Sequence, residues 1–209
     1  MKWLITLAAL AAVGSGAARA AEAVDANDPT KLIETAAQAM LDDIAQHRAE
    51  YKADPSKVQA LVDRLLLPHF DTAYAAQLVL GSHWRAATPD QRRRFIDAFY
   101  KSLLKNYGTA LTSFTGDRLK VLPSRGAADA DRATVRTQVK KDDGSFVPVN
   151  YSLHKTPEGW KAWDVNVEGI SYVKSFRDDF GAQIDQQGLD AVIKRLESGE
   201  SPIRKPGST

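Results

Sequence analysis

The residues best suited to acid–base or ligand chemistry are few and scattered. The four histidines, His47, His69, His83 and His154, are widely spaced, and none falls in an H-x-x-x-H or H-E-x-x-H pattern. His69 and His83 lie in the most apolar part of the chain and are the candidates for a pocket acid or base. Asp42-Asp43, Asp142-Asp143 and Asp178-Asp179 are paired only in sequence. Adjacent residues on a helix do not face each other, and the middle pair reads as a turn. No G-x-S-x-G, P-loop or G-x-G-x-x-G occurs, so neither a nucleophile elbow nor a nucleotide cradle is offered. The chain has no cysteine, which removes zinc–thiolate sites, disulfides, a lipoprotein anchor and a cysteine nucleophile. No metal-ligand spacing is present, no cofactor is expected, and an enzyme is not the favoured reading.

What remains is apolar capacity, concentrated between Leu66 and Leu111. There Phe70, Tyr74, Leu80, Trp84, Phe95, Phe99, Leu103 and Tyr107 are candidates to wall a cavity from the helical side. Val149, Tyr151, Trp163, Val165 and Val167 are the matching candidates from a sheet. For each of them, plain core is the competing assignment.

The elements that must carry these residues are legible from spacing and punctuation. Asp28-Pro29 reads as N-cap and first residue of a helix whose stripe, Leu32 to Ile44, extends to about Arg48. Asp54-Pro55 opens a second helix, with Val58, Leu61, Val62, Leu65 and Leu66 on one face, and Pro68 ends it. Asp71 caps a short third helix that Gly81 stops. Thr88-Pro89-Asp90-Gln91 is a capping box. The helix behind it carries Phe95, Ile96, Phe99, Tyr100, Leu103, Leu104, Tyr107 and Leu111, a face wider than one neighbour requires.

After Gly116 the period changes from 3.6 to 2. Asp117–Pro123, Arg132–Lys141, Phe146–Thr156 and Gly159–Glu168 read as four strands of an antiparallel meander. One face is apolar and the other mostly polar, so helices must cover one side. Tyr172, Val173, Phe176, Phe180 and Ile184 return to helical spacing. Gly188 interrupts, and Leu189 to Leu196 form a last helix. The expected fold is α+β: helices, a four-stranded antiparallel sheet covered on one face, then two closing helices.

Residues 1–20 read as a cleaved signal peptide: Lys2, a short apolar run, then Ala18-Arg19-Ala20. Residues 21–198 are expected to form one domain and 199–209 a flexible tail. The net charge is +2, and loss of Lys2 and Arg19 would leave basic and acidic residues equal in number. No basic field for nucleic acid exists, and Arg92-Arg93-Arg94 reads as a solvated helix face. Export without disulfides points to a bacterial periplasm.

An ordered set of motifs in this chain resembles the MlaC family of periplasmic phospholipid-binding proteins, also called toluene-tolerance auxiliary components. It runs through Tyr51-Lys52-x-Asp54-Pro55, Leu67-Pro68-His69-Phe70-Asp71, Leu80-Gly81-x-x-Trp84, and Ala87-Thr88-x-x-Gln91-x-x-x-Phe95 with Phe99. It continues through Leu103-Leu104, Tyr107, Leu111, Asp164-Val165-x-Val167-Glu168-Gly169-Ile170-Ser171, Arg177, Phe180 and Gly188-Leu189-Asp190. Thr72 and Phe176 depart from the family's usual aromatics. The resemblance implies a nuclear-transport-factor-like α+β cone with acyl chains held between sheet and helices. It also implies a carrier of phospholipid between an outer-membrane lipoprotein–porin complex and an inner-membrane ABC transporter with an MCE-domain subunit, maintaining outer-membrane lipid asymmetry, and the chain is expected to be a monomer. The alternatives are a periplasmic adaptor or chaperone without a guest, and a small pocket enzyme.

Overall fold

The structure is a computed structural model and describes residues 25–54, 56–111, 114–123, 131–141 and 143–200, with the backbone alone at 107–110 and 114–118. The expected signal peptide and most of the expected tail lie outside the described residues. Helix α1 (Pro29–Gln46) begins as its sequence dictates. The Asp28 carboxylate accepts from the N–H groups of Thr30 and Lys31, and Pro29 takes the first helical position. The expected continuation to Arg48 breaks at His47, and a separate short helix, α2 (Arg48–Ala53), follows. The His47 ring lies 3.1 Å from both the Asp43 carbonyl and the Asp43 carboxylate. The His47 N–H also bonds the Asp43 carbonyl at 3.0 Å, as the last bond of α1. The same carboxylate accepts from the Tyr51 hydroxyl and from Arg64, tying α1 and α2 to α3 (Ser56–Leu65).

A single 3-10 turn, Leu67–His69, contains Pro68 and leads into α4 (Thr72–Leu80), which Asp71 caps through the Tyr74 N–H at 2.9 Å. After Gly81 a one-turn helix, α5 (His83–Ala86), precedes α6 (Pro89–Leu111). The capping box forms in full. Gln91 N–H donates to the Thr88 hydroxyl at 3.2 Å, and Thr88 N–H donates to the Gln91 side chain at 2.9 Å.

Strands β1 (Phe114–Leu122), β2 (Arg132–Lys141), β3 (Phe146–Thr156) and β4 (Gly159–Val167) pair antiparallel in chain order. The first begins at Phe114 rather than Asp117. The expected count of four strands is corrected to five. Glu168 and Gly169 both take positive φ, 53° and 88°, and turn the chain straight back. Ile170 and Ser171 then pair with Val167 and Asn166 as a two-residue strand, β5, ahead of α7 (Tyr172–Gln187) and α8 (Leu189–Glu197).

A second difference lies within β4. Tyr151 pairs with Val165 and Ser152 with Asp164, but Leu153 pairs with Ala162. Trp163 is therefore the extra residue of a bulge, and the side-chain phase of β4 flips there. Val165 and Val167 share a face with Tyr151 and Val149, as the alternation predicts. Before the bulge it is Trp160 and Ala162 that share the buried face, not Trp163.

Helix α1 lies across that face. Leu32 and Ile33 pack on Val135, Leu153, Trp160 and Ala162, and Leu41 packs on Val139, Val147 and Val149. A second core forms where α4, α6, α7 and α8 meet, around Phe95, Phe99, Phe176 and Phe180. A third joins α1, α2 and α3 through Met40, Ile44, Tyr51, Val58 and Leu61. The antiparallel sheet and its helical cover give the α+β fold that the sequence predicts.

Candidate functional site

The edge of β4 is covered at both ends and open in the middle. At one end β5 pairs with Asn166 and Val167. At the other, Phe70 bridges Ala162, and Asp71 N–H donates to the Ala162 carbonyl at 2.8 Å. Among the described residues, Trp163, Asp164 and Val165 have no strand beside them on that edge. All three line a partly open cavity of about 240 Å³.

The remaining walls are helical. Val62 of α3 and Leu66, Leu67 and Phe70 around the 3-10 turn form one side. Thr72 and Ala75 come from α4, and Ile96, Phe99, Tyr100, Leu103, Leu104 and Leu111 from α6. Tyr172, Val173 and Phe176 of α7 close it. The wide face of α6 thus divides its work. Phe95 turns wholly into the helical core, while its neighbours one turn on border the cavity.

The polar groups of the wall are largely engaged with the protein itself. Asp164 is buried and accepts from the Ser171 hydroxyl at 2.6 Å and the Val173 N–H at 3.0 Å. The Tyr100 hydroxyl donates to Asp63 at 2.8 Å. Burial, followed by the hydrogen bond to Asp63, pushes the Tyr100 phenol well above its ordinary range. Burial, followed by the Glu168 charge, also raises Tyr172. Both phenols therefore stay neutral at physiological pH. The described lining residues include no lysine, arginine or histidine. The Trp163 Nε1 is shielded from solvent and has no hydrogen-bond partner among the described residues.

Of the thirteen residues that the sequence nominates, Phe70, Phe99, Leu103, Trp163 and Val165 line the cavity. Tyr74 stacks on His154 with ring centres 4.5 Å apart and meets Trp163 edge-on at 5.9 Å, one ring behind the wall. Leu80 and Phe95 sit in the helical core, with Trp84 packed against it under the Arg92 guanidinium at 4.9 Å. Val149, Tyr151 and Val167 lie in the cluster that α1 covers. Tyr107 belongs to α6, but its side chain is outside the described residues. Spacing alone missed Val62, Leu66 and Leu67 before the Phe70 motif, and Tyr172, Val173 and Phe176 of α7. Their signal was helical periodicity, which also marks ordinary core.

The histidines are elsewhere. His154 lies 3.0 Å from Asp71, and His83 lies 3.4 Å from Asp185. His47 belongs to the Asp43 knot. His69 is half-buried beside the wall, and burial, aided by Lys161, lowers its basicity. Among the described residues no group of three potential ligands could hold a metal ion, and no helix is long and apolar enough to cross a membrane.

Such a site can enclose an apolar group. An apolar cavity of about 150 Å³ stays dry and accepts benzene. This one is larger, at about 240 Å³, and partly open, which suits an apolar chain.

Comparison with known proteins agrees in extent and shape. Residues 34–198 match the sequence family described as MlaC protein. The toluene tolerance protein ttg2D of Pseudomonas putida is 31% identical over 183 residues, covering 87% of this chain and 84% of that one. The intermembrane phospholipid transport system binding protein MlaC of Haemophilus influenzae is 25% identical over 186 residues, covering 87% and 86%. Among solved structures, a phospholipid-binding protein from Ralstonia solanacearum, determined in complex with a phospholipid, superposes with a TM-score of 0.77 at 27% identity. That match spans 83% of this chain and 97% of the other.

Proposed function

The chain belongs to the MlaC family, and from that premise we propose that it carries phospholipid through the periplasm, with acyl chain held in the cavity beside β4. The observation that supports this reading most is the cavity itself: about 240 Å³, walled by apolar side chains, with no cation among the described lining residues. A phosphate headgroup buried there would be unpaired and costly, so it stays at the mouth while the chain goes in. Phe70, Phe99, Leu103, Trp163 and Val165 are the expected lipid contacts among the residues named from sequence. Tyr74, one ring behind the wall, and Leu80 and Phe95 in the helical core hold that wall in place.

Energetics set how the cargo must move. Burying an acyl chain contributes ~0.8 kcal/mol per methylene, so a ~16-carbon chain contributes roughly 12 kcal/mol before the costs of binding. Release into water is correspondingly slow. Handover to a docked partner is the workable route, and the absence of any nucleotide-binding motif puts the energy source in that partner. The partners that suit this role are an inner-membrane ABC transporter with an MCE-domain subunit and an outer-membrane lipoprotein–porin complex. Traffic between them would maintain outer-membrane lipid asymmetry. The same reading takes residues 1–20 as a cleaved signal peptide and 21–198 as one lipid-binding domain that acts as a monomer.

An adaptor without a guest would have a filled core rather than this cavity, and an enzyme would need His69 or His83 in the cavity as its acid or base, whereas neither is among the lining residues. The test is native mass spectrometry of the exported chain, as purified and after delipidation and re-exposure to phospholipid vesicles. A mass increment of bound phospholipid is expected in both. Leu103→Arg, which puts a charge on the wall, and Ala75→Phe, which fills it, should each lower occupancy on the order of tenfold with the circular dichroism spectrum unchanged. Protein that is lipid-free when purified and takes up none contradicts the reading.

A further inference from the structure

We propose that the outer face of the sheet docks on an anionic phospholipid bilayer and holds the carrier at a membrane surface for cargo exchange. The docking face is independent of the cavity, while the choice of a bilayer as its occupant rests on the lipid-carrier reading above. Helix α1 covers one face of the sheet. The alternation of β1 and β2 sends Lys120, Arg132, Arg136 and Lys140 to the other. Among the described side chains of β1, β2 and β3, no aspartate or glutamate faces that way. The chain as a whole is only +2, so the face reflects segregation of charge rather than general basicity. Register draws the cations together. Lys120 lies opposite Gln138, which puts it diagonally beside both Arg136 and Lys140, roughly 7–8 Å away. Arg132 lengthens the stripe to about 27 Å along β2. The Lys120 ammonium sits 4.4 Å from the centre of the Phe146 ring, and Arg136 donates to the Pro123 carbonyl at 3.3 Å. Elsewhere Arg64, Arg94 and Lys161 each pair with a carboxylate. Lys120, Arg132 and Arg136 have no such partner among the described residues. Like charges this close repel one another, and a layer of phosphates relieves the repulsion.

Charge, extent and neighbours select the occupant. A cationic stripe of this length fits an extended anionic surface rather than one small anion. A bilayer presents phosphates along the whole stripe, so the cations need no fixed register with it. Each lysine or arginine close to such a surface strengthens binding about fivefold. Phe146, half-buried, and Pro148, exposed, lie on the same face and add apolar groups at headgroup level. The face is also continuous with the cavity wall. Ser152 lies opposite Asp164 on the outer side, and Asp164 lines the cavity. A carrier of phospholipid meets anionic bilayers wherever it loads or unloads, and this face matches their charge.

The experiment is flotation of the exported chain with vesicles of phosphatidylethanolamine and phosphatidylglycerol, against vesicles of phosphatidylethanolamine and phosphatidylcholine. The wild-type chain should bind the first at least roughly tenfold more tightly and lose most of that binding at high salt. Lys120→Gln with Arg136→Gln should weaken binding to the anionic vesicles on the order of 20-fold. Lys101→Gln with Lys194→Gln makes the same change of net charge at exposed positions of α6 and α8 and should leave binding as it is. Equal binding to the two vesicles, or an equal loss in the two variants, overturns the proposal. So does a wild-type chain that binds neither vesicle; if the Lys120/Arg136 variant then still loses lipid delivery, the face meets an acidic protein instead. Salt and headgroup dependence are read on the wild-type chain, so a misfolded variant leaves the test intact. Cargo is measured separately by native mass spectrometry. A chain that holds phospholipid but ignores anionic vesicles fails this proposal alone, and one that floats with them but holds no lipid fails the carrier reading alone.

Discussion

Phe95, Phe99, Phe176 and Phe180 meet mostly edge-on, with ring centres 5.3 to 5.5 Å apart, in the arrangement aromatic quadrupoles favour. Phe180 is fully buried, and Phe180→Ala should cost about 3–5 kcal/mol through lost burial and the cavity left behind. Calorimetry should record a fall in Tm on the order of 10 °C; a change of a degree or two would mean that the cluster is not the helical core. His69 offers a pH prediction. Its folded-state pKa lies below the ordinary 6.5 because burial, then Lys161, disfavours the charged form. The unfolded chain therefore binds the proton more tightly. Stability is at its full value above about pH 6.5 and declines as pH falls from there toward the folded pKa. An NMR titration of the His69 ring should give a midpoint below 6.5, and a midpoint above it would contradict the burial assigned to this turn. At this scale the sequence is a good guide to what is buried and a poor one to what buries it. Phe95 and Phe99 stand one turn apart on one stripe, yet only Phe99 borders the cavity. An apolar pattern records that a side chain leaves water, not whether protein or a guest lies against it.

Elements announced by turn chemistry and capping appear where they are expected. The Asp28, Asp71 and Thr88–Gln91 caps form as read, and β2 and β3 have the ends that alternation gives. The misses have local causes. The break at His47 falls where no glycine or proline marks it, beside a ring contact with Asp43. The β4 bulge adds one residue to a run in which Trp160, Ala162, Trp163 and Val165 are all apolar, so either phase satisfies the pattern. That bulge matters to the site, because it puts Trp163 on the cavity wall. Gly81 is tied to its element more strictly. With φ 54° and ψ −121° it ends α4 in a conformation open to glycine, and a Cβ there would stand 3.1 Å from Arg177 Nε. Gly81→Ala should destabilise by about 1–3 kcal/mol in chemical denaturation. A neutral result would mean that the turn relaxes at no cost and does not fix the α4–α5 corner.

Among the described residues, the sheet with α1 and the phenylalanine core of α4, α6, α7 and α8 meet at one strand, and a third cluster joins α1, α2 and α3. Helix α1 packs on the apolar face of the sheet and on α2 and α3, helices α4, α6, α7 and α8 pack on one another, and β4 is the seam between the sheet and that second group. The cavity opens along that seam, where β5 stops short of the Phe70 bridge. A ligand there touches both regions at once, so binding should stabilise the fold as a unit through ordinary linkage. The most direct measurement of the central claim is fluorescence quenching by a phospholipid brominated along its acyl chain. Trp163 lines the cavity, whereas Trp84 packs on the helical core and Trp160 lies beneath α1. Loading with the brominated lipid should therefore quench an emission component that is missing from Trp163→Phe and leave most of the remainder. Equal quenching in the wild-type chain and Trp163→Phe, or none in either despite bound lipid, would put the acyl chain somewhere other than this cavity.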